Sequence, residues 1–255
     1  MRMLPPDLSI GRRFVAAHGA PGAFLVGATG AHFYGFPSAD SDLDLKGIHI
    51  APTREVVSLT APPDAVDFLG VFEGVEIDYT SQELAVALRL LLKGNGNMLE
   101  RILSPFQVLD SPAARELAAL AQGSVSQRFF HHYRGFFGRT RDDWRSAQPR
   151  TVKGLLYAYR SALTGIHLLR TGECVGDVTQ LAPLYGFERV AGLVARKAGG
   201  REHGAMTDAG EFDADLEGLD PLLEAAREAS PLPAEASNVE ALDSFLVRVR
   251  EERFE

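Results

Sequence analysis

A single cysteine, Cys174, stands among the 255 residues, which excludes an internal disulfide and a zinc site built from cysteines. A basic excess is missing too. The chain has 26 Lys and Arg against 34 Asp and Glu, a formal charge of −8. That balance excludes a generic nucleic-acid coater, whose footprint is strongly basic, but leaves room for a local patch holding a defined RNA or DNA end. Long hydrophobic runs are lacking as well. The apolar stretches are broken by glycine or charge well before the roughly 18–20 residues that a membrane helix needs. The first residues, MRMLPPDLSIGRRF, hold two prolines and no apolar signal core. These absences predict a soluble, cytoplasmic chain with no membrane partner. Nor does any internal repeat occur at a solenoid or propeller period. With 45% hydrophobic and 24% charged residues, the composition is that of an ordinary globular protein with a sizeable core, in one or two domains.

The patterning changes along the chain. Over the first 110 residues, short apolar runs alternate with Gly, Pro and Asp. Ala23–Val26 reads as a buried strand ending at Gly27, and Ala31–Gly35 as the start of a short helix. Asp42–Ile50, DLDLKGIHI, alternates polar and apolar residues as a half-buried strand does. Val56–Leu59, Val71–Phe72 and Val75–Tyr79 are further strand candidates, with Pro62-Pro63 as a turn. Ser81–Lys93 has helical spacing, with Ser81 as N-cap and Gly94 as C-terminal stop. After Pro112 the apolar segments 112–122, 124–139, 150–171 and 238–252 are helix-like. Residues 199–214 read as a polar, Gly-rich, mobile loop and 230–237 as a linker. The predicted architecture is α+β: a mixed sheet with flanking helices over 1–110, then a helical domain over 111–255.

One stretch carries chemistry: VGATGAHFYGFPSADSDLDLKGIHI, residues 26–50. Its glycine-rich turn, Gly27-Ala28-Thr29-Gly30-Ala31, lets backbone approach a ligand closely and aims N–H groups at phosphate oxygens. After it comes Asp42-Leu43-Asp44. Residues two apart on a strand share a face, so Asp42 and Asp44 form a carboxylate pair while Leu43 and Leu45 face the core. Paired carboxylates repel unless a cation lies between them, and Mg²⁺ favours such oxygens together with substrate phosphates. Asp40 has the same parity but is read as loop. Lys46 shares the acids' face and either reaches a phosphate or pairs with Asp44 or Asp78.

Turn and acids together resemble the nucleotidyltransferase superfamily related to DNA polymerase β: Gly-Ser, about ten residues, then Asp-h-Asp/Glu-h with h apolar. Gly30-Ala31 stands at the Gly-Ser position, and ten residues separate Ala31 from Asp42. GAHFYGF followed by SDLDLKGI is closer still to the predicted nucleotidyltransferases that include the RNA-ligase-associated group. Downstream, Asp78-Tyr79 matches that family's third strand acid. Lys93-Gly94-Asn95-Gly96-Asn97 with Glu100 matches its helix-ending Lys-Gly-Asn-Pro and Glu. Lys153, Tyr157 and Arg160 resemble a Lys-x-x-Tyr-x-x-Arg helix, with one extra residue between the Lys and the Tyr. Two departures stand out: Ala31 replaces the family's Ser, removing a hydroxyl that Thr29 could supply, and Gly96 replaces a Pro.

The resemblance implies a metal-dependent transfer of a nucleoside monophosphate from a nucleoside triphosphate, ATP foremost, to a hydroxyl acceptor. The acceptor class stays open between an RNA end, a protein side chain, as in AMP-transferring antitoxins of the same superfamily, and a small molecule. It implies two Mg²⁺ or Mn²⁺ ions on Asp42, Asp44 and Asp78, which are also the catalytic residues, and nucleotide contacts from Thr29, Gly30, Ala31, His32 and Lys46. The competing expectation is a nucleotide-binding or protein-interaction domain of the same fold without turnover.

Elsewhere the bland readings lead. His131 and His132 point about 100° apart on a helix and cannot chelate one ion together. Cys174 has no base beside it, and Trp144 reads as a helix anchor. The arginines 128, 134, 139, 141, 145 and 150, interleaved with Phe129, Tyr133 and Phe136, form the best candidate for a nucleic-acid surface, but the leading reading is an amphipathic helix with its charged face outward.

Overall fold

The computed structural model describes residues 7–38, 41–199 and 205–253. Asp40, read above as loop, lies outside them. In chain order the elements are α1 (Leu8–His18), β1 (Ala23–Ala28), α2 (Gly30–Phe33), β2 (Leu43–His49), α3 (Thr53–Val56), β3 (Ala65–Phe72), β4 (Val75–Glu83), α4 (Leu84–Leu92), α5 (Gly96–Leu103) and β5 (Gln107–Leu109). There follow α6 (Pro112–Gly123), α7 (Phe129–Ser146), α8 (Val152–Thr171), α9 (Val178–Leu184), α10 (Val190–Ala198), α11 (Asp213–Glu228) and α12 (Val239–Glu252). The fold is α+β, a mixed sheet with flanking helices followed by helices.

The chain divides into two compact units. The first comprises residues 1–33, 42–124 and 236–255, the second 34–41 and 125–235. Relative to a boundary at residue 110, the sheet-bearing unit also takes in α6 and, from the far end of the chain, α12. A buried ion pair ties α12 in. Arg250 bridges to Glu83 and donates to the Ala51 carbonyl at 2.7 Å, while the Thr53 hydroxyl donates to the Arg250 carbonyl at 2.7 Å.

In the first unit the sheet order is β3-β4-β2-β1-β5. Only β2 and β4 run parallel; the other neighbours are antiparallel. Leu43, Leu45, Ile77 and Tyr79 project to one face and bury against α1, whose Phe14 is fully buried. Phe14 lies edge-on to Phe72 and Tyr79 and tilted to Phe68. Truncating it to alanine would cost about 3–5 kcal/mol. Because strand side chains alternate, this packing sends Asp44, Lys46 and Asp78 to the opposite face.

Two local expectations change. Val56 ends the short helix α3 and Val57–Leu59 are exposed turn, so no strand forms there: the run has no partner strand to complete its hydrogen bonds. Ser81 lies inside β4, buried and bonded to His49 Nδ1 at 3.0 Å. The cap of α4 is Glu83, whose carboxylate accepts from the Ala85 amide at 2.8 Å. Parallel pairing to β2 carries β4 two residues further than the helical period predicts. Gly94 does stop the helix, at φ +76°.

In the second unit α8 is buried almost all round, capped by the Thr151 hydroxyl and by Gly172 at φ +80°. Trp144 is 2% exposed and its indole donates to the Thr151 carbonyl at 2.9 Å, the anchoring role expected. Within 199–214, residues 200–204 lie outside the described set, Ala205 bridges Thr151, and Ala209–Phe212 form a 3₁₀ turn leading into α11. α11 was not anticipated, because its Gly218 and Pro221 interrupt the apolar period.

Candidate active site

Site geometry follows from the alternation of β2 and β4. Their parallel register sets Asp44 directly beside Asp78 and Lys46 beside Thr80. Carboxylates 34 positions apart in the chain thereby become neighbours on one face, with the core on the other. Asp42 is exposed, one residue before β2 begins, two residues from Asp44.

The turn after β1 closes onto the same acid. The Thr29 amide donates to the Asp44 carbonyl at 2.9 Å. Gly30 sits at φ +61°, where a Cβ would overlap Asp44 Oδ2 and lie 2.5 Å from its Cγ. Glycine is required twice over there: for the left-handed backbone, and for the space taken by the carboxylate. Thr29 and Ala31 are buried, and His32 is half-buried at the start of the short helix.

The charges are unevenly balanced. Burial, with further push from Asp78 and Asp42, raises the Asp44 carboxyl to about 6, although Lys46 pulls the other way. Lys46 has taken Asp78 as its partner, Nζ to Oδ1 at 2.7 Å. So the structure brings Asp44, Asp78 and Lys46 together beside the Gly30 turn, with Asp42 at the rim. Among the described residues, no three His, Cys, Asp or Glu side chains are gathered tightly enough to enclose an ion as they stand.

Sequence reasoning missed Arg101. Its Nη1 donates to the Gly47 carbonyl at 2.9 Å, while its buried Nε has no hydrogen-bond partner. Burial lowers this guanidinium to about 10, against the pull of Tyr79, Asp67 and Asp78. The available signal was faint: one cation in the last turn of an amphipathic helix, next to the motif residue Glu100, itself buried.

The arginine-rich stretch finds acidic partners while keeping some exposure, Arg134 most of all. Arg134 pairs with Glu224 at 2.9 Å, Arg141 with Asp220, Arg145 with Glu217 at 3.2 Å and Arg150 with Asp213 at 3.2 Å. All of those acids lie on α11, so the basic face of α7 meets an acidic helix. Arg128 pairs with Glu235 at 3.4 Å, and Arg139 lies over the Phe136 ring at 5.3 Å. His131 is exposed and His132 stacks on Phe136, so they diverge as expected. Lys153 and Tyr157 are half-buried on α8, where Arg160 is fully buried 3.6 Å over the Tyr34 ring. Cys174 is half-buried and forms no disulfide.

None of the described helices is long and apolar enough to cross a membrane. Among known proteins, an uncharacterized protein of Methanocaldococcus jannaschii is 28% identical over 150 residues, 58% of this chain. The chain spans 61% of that relative's length. A nucleotidyltransferase-like protein of Exiguobacterium sibiricum aligns over 98% of this chain and 81% of its own, at 14% identity and a TM-score of 0.31, too distant to bear on residue roles. The match that decides the matter runs from residue 13 to residue 248: this chain belongs to the RNA repair pathway DNA polymerase beta family.

Proposed function

We propose that the protein is a metal-dependent nucleotidyltransferase that moves a nucleoside monophosphate from a triphosphate, ATP foremost, to a hydroxyl acceptor. The observation that carries this reading is the like-charge pair on β2 and β4, pressed against a glycine turn that leaves room only for backbone. An acid held as high as about 6 by burial and by neighbouring acids is a group that a cation would relieve.

The donor set fits hard divalent ions. Asp42, Asp44 and Asp78 offer oxygens alone, and two Mg²⁺ or Mn²⁺ ions held there would supply charge neutralisation at the reacting phosphate. The chain's own residues do the rest. Backbone at Thr29–Ala31, with His32 beside it, holds the triphosphate close to Asp44. Asp78 takes the proton from the acceptor hydroxyl as its oxygen bonds to the α-phosphorus. The bond from that phosphorus to the bridging oxygen breaks, and pyrophosphate leaves. Lys46, beside Asp78, is within the same cluster for a phosphate oxygen.

A second reading, nucleotide binding without turnover, draws on one observation: Ala31 brings no hydroxyl to the turn and Thr29 is buried. Incubating the protein with Mg²⁺ and each labelled triphosphate, with and without RNA or protein acceptors, separates the two. Label transferred to an acceptor and lost in Asp44→Ala supports the enzyme. Triphosphate retained intact with no label transferred, and transfer gained in Ala31→Ser, supports the binding domain. No triphosphate binding in either protein removes both readings.

A further inference from the structure

β3 is the outermost strand of the sheet, and among the described residues its only strand partner is β4. Eight residues of backbone therefore offer one row of unpaired N–H and C=O groups. Natural edges are usually blunted by lysine, proline or a bulge; β3 has none of these, and its register with β4 is unbroken from Ala65 to Phe72.

The side chains of this edge are unusual as well. Leu69 is 77% and Val71 70% exposed. Register sets Leu69 beside Asp78 and Val71 beside Glu76, so both apolar side chains share the face of the candidate site. From Asp64 to Glu83 the chain carries Asp64, Asp67, Glu73, Glu76, Asp78 and Glu83 and no Lys, Arg or His. Glu73 is matched by Arg13 at 2.5 Å and Asp78 by Lys46. Among the described residues Asp64 and Glu76 have no ion-pair partner, and Asp67 has only the longer-range attraction of Arg101, so acids outnumber cations around the exposed Leu69 and Val71.

An open edge selects a polypeptide backbone, because only another strand matches its spacing of donors and acceptors. Exposed apolar side chains at alternate positions select apolar residues at alternate positions of the incoming strand. Uncompensated acids select cations between them and repel a polyanion. We propose that β3 is a docking edge for an extended, basic polypeptide segment of a partner protein, which adds to the sheet as a further strand next to β3, with β3 between it and the Asp78 strand. This does not depend on nucleotidyl transfer. A nucleic acid is the disfavoured occupant, because its phosphates would face Asp64, Asp67 and Glu76.

The test uses the full chain and three labelled probes: a ten-residue peptide alternating Lys and Val, its Glu and Val counterpart, and a ten-nucleotide oligoadenylate. Binding is read by fluorescence anisotropy, and the contact by amide hydrogen exchange. The expected result is salt-sensitive binding of the Lys–Val peptide alone, slowed exchange in β3, and affinity at least about tenfold weaker in the double variant Leu69→Lys, Val71→Lys. Both residues are exposed, so circular dichroism and Tm should match the parent; the single variant Val71→Lys gives the same reading at half the charge should the double variant unfold. The proposal is overturned by no binding of the Lys–Val peptide, by equal binding of the Glu–Val peptide, by binding indifferent to these substitutions, by protection outside β3, by oligoadenylate protecting β3, or by self-association of the chain protecting that strand.

Discussion

Gly30→Ala tests whether the turn and the acid are one device. The substitution does two separable things. It forces an L-residue to φ +61°, and it sets a methyl group 2.5 Å from Asp44 Cγ, deep inside van der Waals contact. The first effect costs about 1–2 kcal/mol. The second must push the carboxylate or the turn aside, an overpacking cost of about 1–3 kcal/mol more. Gly74 supplies the control, since it has φ +81° and a methyl group added there would meet nothing within 4 Å. Gly74→Ala should therefore show the conformational cost alone. In urea unfolding the predicted order is parent, Gly74→Ala, Gly30→Ala, the last losing roughly 2–5 kcal/mol. The same displacement reaches function. Moving a reacting group by about 1 Å can cost roughly 100-fold in rate, so Gly30→Ala should lose nucleotidyl transfer by that order while Gly74→Ala keeps it. Equal stability losses in the two variants, with transfer intact in Gly30→Ala, would refute the claim that the glycine exists to admit Asp44.

Three further outcomes follow from single contacts. Asp44→Asn should stabilise the metal-free protein at pH 7 by roughly 1 kcal/mol, because it removes a buried like charge, and should erase the rise in Tm produced by Mg²⁺; a parent whose Tm ignores Mg²⁺ would count against metal binding there. Burial, with Arg160 and Arg139 nearby, lowers His132 to about 4. The unfolded chain, at about 6.5, then binds the proton first, so this histidine's share of stability is whole above pH 6.5 and drains away as pH falls to 4; His132→Phe should flatten the denaturation profile in that window. Trp144→Phe leaves the Thr151 carbonyl without the indole donor and should cost about 1–3 kcal/mol by thermal unfolding.

What could be read from sequence is what is local. The glycine turn, the alternation of β2 and the helical period of α8 depend on residues a few positions apart, and the structure has all three. Register between distant strands is different. Nothing in DLDLKG or VEIDYT states that they run parallel with Asp44 against Asp78; family resemblance supplied Asp78, and pairing of β2 with β4 supplied the neighbourhood. The return of α12 is equally silent, since Arg250 finds Glu83 only after 166 intervening residues have folded, an ion pair with no local signature. The arginines of α7 are ambiguous from sequence for the same reason. Read alone, they make a basic, aromatic face; the acids that neutralise it lie on α11, a helix disguised by Gly218 and Pro221. Arg101 escaped because a cation is informative only once its burial is known.

Lys46 gives the sharpest question about the acids themselves. It holds Asp78 at 2.7 Å and leaves Asp44 as the protonation-prone member of the pair. An ammonium in that position plays, at one carboxylate, the part that a divalent ion would play at both. A divalent ion held by Asp44 and Asp78 would compete with it for Asp78, and a displaced Lys46 has phosphate oxygens as its natural new partner. Lys46→Met separates the two duties. Without the competing ammonium, Mg²⁺ alone should bind more tightly, read by calorimetry. Without a cation to receive the phosphate, KM for the triphosphate should rise about tenfold, the worth of roughly 1.4 kcal/mol expected for one charge-assisted hydrogen bond. Weaker Mg²⁺ binding in Lys46→Met would mean instead that the ammonium is what keeps the carboxylates ionised, and an unchanged KM would mean that it never leaves Asp78.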